Sequence, residues 1–137
     1  MLGRWHILAT TLPFWDGKRG PTVTYEALPD GRIRDMLAWR QGGRERTLGG
    51  VDTPQPDGSY LWRGAGLLAL LTSRWRLVEH DEPFAVTWFA RATFGVTPEG
   101  MDVYGRAADL DPGPIVARLQ ADPRYAHLDG WRVTERG

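Results

Sequence analysis

The stretch VYGRAADLDPGPIVARL, residues 103–119, is where the chain changes its code. Up to Arg106 the pattern has period two, with Asp102, Tyr104 and Arg106 alternating with Met101, Val103 and Gly105 as on a strand. The alternation does not say which of these faces points inward. From Asp111 the period is helical. Asp111 is a good N-cap, Pro112 suits the first helical position, and Ile115, Val116 and Leu119 make an apolar stripe over about three turns. One short helix is therefore predicted over about 112–121, followed by an extended tail, GWRVT, over 130–134.

Upstream of this junction, turn signals recur regularly: FWDGKRGP (14–21), PDG (29–31), QGG (41–43), PQPDG (54–58), HDEP (80–83) and GVTPEG (95–100). Segments of strand length lie between them, at about 4–11, 22–28, 32–40, 45–52, 59–65, 73–79, 84–92 and 101–107. Trp75 and Leu77 share one face of SRWRLVE (73–79), opposite Arg74 and Arg76. Tyr60, Trp62 and Gly64 alternate in the same way with Leu61, Arg63 and Ala65. Short strands with short connections predict an all-β fold, an eight-stranded antiparallel up-and-down barrel with the helix packed outside and the tail extended.

Composition narrows the function. With 137 residues and 42% hydrophobic content the chain can close one substantial core, so 1–137 is read as a single domain. Basic and acidic residues balance at 17 each, which argues against nucleic acid as a partner. Lys18 is the only lysine. Cysteine is absent, which excludes disulfides, thiolate metal sites and a cysteine nucleophile. The longest apolar run, GAGLLALL (64–71), is far below the roughly 20 residues of a membrane-spanning helix. No leader or lipoprotein cysteine is visible, so the expected location is cytoplasmic, or periplasmic or secreted if a leader was removed.

The barrel pattern, Gly3 and Trp5 in GRWHI (3–7), Arg106 at the end of the eighth strand and the Asp-Pro-started helix together resemble the lipocalin family. Within it, the likeness is greatest to the small bacterial lipocalins. GRWHILATTLPFW resembles that family's first strand and long first loop, and VTYEALPDGRI its second strand and turn. The resemblance implies that Gly3, Trp5 and Arg106 form a structural base in which the arginine packs across the indole. Only Met1 and Leu2 precede Gly3, where the family has a plugging segment, so a less sealed base is expected. Barrel topology agrees that strands one and eight meet at one end. Loops after strands two, four and six then lie at the base. Those after one, three, five and seven lie at the mouth.

This sorting makes Phe14, Trp15, Leu67, Leu68 and Leu71 an apolar mouth rim, with Leu12 and Leu70 beside them. Tyr25, Trp39, Trp62, Trp75, Trp88 and Tyr104 are the candidate cavity residues, and the seven tryptophans leave open whether the barrel is hollow or filled. The expected function is non-covalent binding or transport of a small hydrophobic molecule, without a cofactor, by a monomer or dimer. A lipocalin-fold isomerase or cyclase is one alternative. Docking of the mouth loops on a protein or membrane surface is another. The residues lean away from an enzyme, since no catalytic constellation is legible: Glu26, Asp35, Asp102, Tyr25 and Tyr104 are the candidate acid-base groups, a carboxyl inside the cup having a raised pKa, and the favoured reading puts them on the exterior face of a strand, paired with arginine. His6, His80 and His127 lack metal-ligand spacing, and EHDE (79–82) is read as a solvated turn, so no metal is expected.

Overall fold

The structure, a computed structural model, describes residues 1–92 and 97–137. Eight antiparallel strands follow in chain order: β1 (Gly3–Thr10), β2 (Arg19–Ala27), β3 (Ile33–Gln41), β4 (Arg44–Pro54), β5 (Tyr60–Gly64), β6 (Thr72–Asp81), β7 (Phe84–Phe89) and β8 (Gly100–Gly105). Each pairs with its neighbour in sequence. Because β1 pairs with both β8 and β2, the sheet closes into an up-and-down barrel. The expected boundaries move in places: β2 starts at Arg19 rather than 22, and β7 stops at Phe89 rather than 92. Positions 95 and 96 of the GVTPEG turn lie outside the described residues.

The closure has a seam. β1 pairs with β2 only from Gly3 to His6, and a bulge at Leu8 shifts its register against β8. Beyond the bulge, Ala9 and Thr10 pair with Val133 and Arg132 of a ninth strand, β9 (Arg132–Val133). The Thr134 N–H donates to the Leu8 carbonyl at 3.0 Å and the Gly20 N–H to the Glu135 carbonyl at 2.7 Å. The tail is thus a piece of the barrel wall, taking up backbone groups that would otherwise be unpaired.

At the base, Trp5 is completely buried and the Arg106 guanidinium lies 3.6 Å from its ring centroid. Nη1 of Arg106 donates to the carbonyls of Leu2 (3.0 Å) and Arg4 (3.2 Å), while Nε and Nη2 form a fork on Glu82 at 2.9 and 3.1 Å. Gly3 has φ +92°, and a Cβ there would stand 3.2 Å from Arg106 Nη1, so both conformation and space favour glycine. At this end Met1 packs on the core and its carbonyl accepts the Trp5 indole N–H at 2.8 Å. EHDE is more than a solvated turn. Glu79 takes a fork from Arg118, and His80 meets Trp5 edge-on and bonds Glu82 at 2.5 Å. The Arg106 fork, with help from His80, holds the Glu82 carboxyl down at about 2.

The helix, α1 (Gly113–Ala121), starts one residue later than expected. Pro112 rather than Asp111 is its N-cap, although Asp111 Oδ1 still accepts the Gly113 N–H at 2.9 Å. Leu119, with Ile115 and Val116, closes over an outer-face cluster of Ala9, Val86, Met101 and Val103. Strands β7 and β8 are therefore covered on both faces.

Candidate functional site

The inward face of the barrel is divided by height. Near the base, Trp5, Ile7, Val23, Tyr25 and Tyr104 pack into a solid plug. Towards the mouth the barrel is hollow, with a cavity of about 190 Å³ bordered by Phe14, Trp15, Leu37, Trp62, Leu71 and Phe89 among others, with Tyr25 and Tyr104 as its floor. Its walls are held by ring contacts. Trp75 stacks between Tyr60 (4.7 Å) and Tyr25 (5.6 Å), and Phe14 meets Trp15 edge-on at 4.8 Å. Gly50 makes room for one wall: a Cβ there would sit 2.2 Å from Trp62 Nε1.

Of the six aromatic residues expected in the cavity, Tyr25, Trp62, Trp75 and Tyr104 line it. Trp39 is on the same inward face of β3 but does not line the cavity, meeting Phe14 and Trp15 edge-on instead. Trp88 is a correction. It is on the outer face of β7, where Arg76 lies 4.8 Å from its ring and Glu99 accepts its indole N–H at 2.7 Å. Trp88→Ala should therefore cost about 2 kcal/mol, below the value for a fully buried tryptophan. Amide exchange should quicken across 113–128 and stay unchanged in β2 to β4. At the rim, Phe14, Trp15 and Leu71 border the cavity. Leu67 instead points into solvent, and Leu68 packs over Gly64 without lining it.

The carboxylates are the largest departure from expectation. Glu26 is exposed, opposite Arg34 in register. Asp35 and Asp102, expected outside and paired with arginine, are inside at 6% and 2% exposure, joined by Asp52 at 0%. Their strands place them there: Asp35 shares a face with Leu37, Asp52 with Gly50, and Asp102 with Tyr104. Asp52 Oδ1 accepts the Trp75 indole N–H at 3.0 Å. As two carboxylates, Asp35 and Asp52 would leave Asp35 Oδ1 and Asp52 Oδ2 without partners; a proton held on Asp35 lets it donate to Asp52. Burial, followed by the Asp52 charge, raises the Asp35 carboxyl well above its ordinary range, and burial raises Asp52 against the bonds from Asp35 and Trp75.

Asp102 stands nearer the mouth. Its Oδ2 is 3.4 Å from the Trp15 indole N–H, while Oδ1 has no partner among the described residues. Burial pushes it up to about 7, opposed by the bonds from Thr10 and Trp15 and by the charge of Arg132. Between these acids, the hydroxyls of Tyr25 and Tyr104 are 3.1 Å apart. Burial drives both phenols well above 10, so they remain neutral hydrogen-bonding groups.

No family model matches the chain, and no curated protein matches it in sequence. Its shape is decisive. The siderocalin Ex-FABP superposes with a TM-score of 0.74 at 15% identity, covering 99% of this chain and 94% of that one. The chain has the lipocalin fold. Two further lipocalin-type structures agree. Lobster apocrustacyanin A1 has a TM-score of 0.73 at 17% identity, with 99% and 77% covered, and the odorant-binding protein OBP1 0.70 at 12%, with 96% and 88% covered. In lipocalin terms the hollow upper half is the calyx, and the Trp5–Arg106 contact is its closed end.

Proposed function

We propose that the protein binds a small hydrophobic molecule non-covalently in the upper half of its barrel. The cavity of about 190 Å³ under Trp15 carries this reading. Apolar cavities of about 150 Å³ accept benzene, so this volume suits a ligand of one or two rings rather than a long chain. Affinity would come from apolar area removed from water at about 25 cal/mol per Å². The solved structures of similar shape include one described as an odorant-binding protein and one as a siderocalin with dual ligand specificities, which is consistent with a binding role.

Titration with naphthalene-sized and single-ring aromatic compounds tests this, read by tryptophan fluorescence. Trp15 and Trp75 border the space, so saturable quenching is expected. Ser73 also lines the cavity, and Ser73→Phe should fill it, lowering affinity at least tenfold while moving stability by less than about 1.5 kcal/mol. Absence of saturable binding across the panel defeats the reading.

A second reading has one observation behind it. A carboxyl raised to about 7 in an apolar cup has the titration of a general base for an isomerase acting on a hydrophobic substrate. Asp102→Asn would then abolish turnover while sparing the affinity of neutral ligands.

A further inference from the structure

The proposed binding site has a one-sided charge inventory. None of the described residues lining the cavity is lysine, arginine or histidine. Two of the lining residues, Asp35 and Asp102, are acids, and Asp52 lies behind Asp35. Asp35 and Asp52 satisfy one another through a proton. Asp102 has no such acid partner: the Thr10 hydroxyl and the Trp15 indole bond it, while Oδ1, buried at the cavity wall, has no partner among the described residues. An unpaired buried carboxylate is costly, and a cation delivered beside it recovers that cost as binding energy.

We propose that Asp102 anchors a protonated amine on the ligand, so that the barrel selects small aromatic or aliphatic ammonium compounds over acids and neutral molecules of the same shape. The inference rests on the binding reading above and deepens it. One further feature fits. Trp15, Trp62, Trp75 and Phe89 give the cavity aromatic rings, which attract ammonium groups. The rim carries a cation, Lys18, whose ammonium is held by the Phe14 carbonyl and over the Phe14 ring at 4.3 Å, outside the cavity lining. A fatty acid or other carboxylate, by contrast, would bring a second negative charge to Asp102.

The groups facing Asp102 are Thr10 on β1, Trp15 on the first loop, Thr87 opposite it on β7, and Tyr104 on its own strand. Arg132, whose charge acts on it, is engaged with the Leu12 carbonyl and with Asp16 at 2.6 Å. Amine affinity should therefore follow the ionisation of Asp102, strong at pH 8 and weaker at pH 5.5.

The test is calorimetric titration of the whole protein with 2-phenylethylamine, 2-phenylethanol and 3-phenylpropionate, which share ring and chain length and differ in charge. At pH 8 the amine should bind at least tenfold more tightly than the alcohol, and the acid more weakly than either. The preference should shrink at pH 5.5 and vanish in Asp102→Asn, with alcohol binding retained. Equal binding of amine and alcohol by the native protein overturns the amine anchor while leaving the cavity reading intact; that comparison needs no variant. A preference that survives Asp102→Asn also overturns it. Failure of all three compounds to bind removes the cavity reading and this inference together.

Discussion

Trp5→Ala should lower the unfolding free energy by about 3–5 kcal/mol and the melting temperature by roughly 10 °C or more. The indole is completely buried and works on several elements at once. It carries the Arg106 guanidinium on one face, meets His80 edge-on at 5.6 Å and bonds the first residue's carbonyl. Its removal opens a void at the joint between β1, β6 and the end of β8, where collapse is resisted by closed-barrel geometry. Arg106→Leu should cost less, about 2 kcal/mol, because the carbonyls and Glu82 that it leaves can be hydrated. The double variant should lose less than the sum, since the two side chains share one contact. Thermal and urea unfolding of the three variants measures this, and a Trp5→Ala protein melting like the parent would show that the base is not held this way.

Asp102→Asn should have the opposite sign at alkaline pH. An unfolded aspartate titrates near 3.9, whereas Asp102 in the barrel is raised to about 7. Between those values the native state retains a proton that the unfolded chain has lost, so stability falls as pH rises from about 4 to about 7 and is level above. About three units at about 1.4 kcal/mol each makes this a burden of about 4 kcal/mol at pH 8. The amide removes the charge but places an N–H₂ where Oδ1 has no partner among the described residues, at a cost of about 1–3 kcal/mol if it stays unpaired. A net gain of about 2 kcal/mol at pH 8 is expected, with the slope between pH 4.5 and 7 reduced.

Asp35 and Asp52, also raised, act in the same direction as Asp102. Glu82, Glu79 and Glu99 are lowered, so their support is present above the unfolded value and is lost as pH falls below about 4.5. The native protein should thus be most stable near pH 4.5–5.5. Urea titrations of both proteins across pH 4–8 decide it. A parent equally stable at pH 5 and pH 8 contradicts the burial of an ionisable Asp102.

The architecture was legible in the sequence because its signals are local. Turn residues such as those at 29–31 and 54–58 and the Asp-Pro-Gly-Pro start at 111–114 act within a few residues of themselves. Strand count, helix position and the meeting of Trp5 with Arg106 follow from them and from the parity of an up-and-down barrel. The inward face of β3 was also readable: Ile33, Asp35, Leu37 and Trp39 alternate cleanly, and an acid in that row is in phase with apolar neighbours. Composition weighed against reading it so, because buried carboxylates are rare. Asp52 was missed for the same reason, although it shares its parity with Leu48 and Gly50.

Only the tertiary structure decided the rest. β7 and β8 carry apolar residues on both faces because α1 and the segment after it cover their outsides, and period two cannot then tell which side faces the cavity. This is why the side of Trp88 on β7 was not legible, whereas Trp75 on β6 alternates with Arg74 and Arg76. Whether the barrel is hollow depends on how side chains from different strands fill its cross-section, with Gly50 yielding to Trp62 and Tyr25 meeting Tyr104 across the interior. The ionisation of Asp102 depends on the same closure. Trp15, from a loop eighty-seven positions earlier, covers one oxygen and shuts out water, which no local pattern encodes.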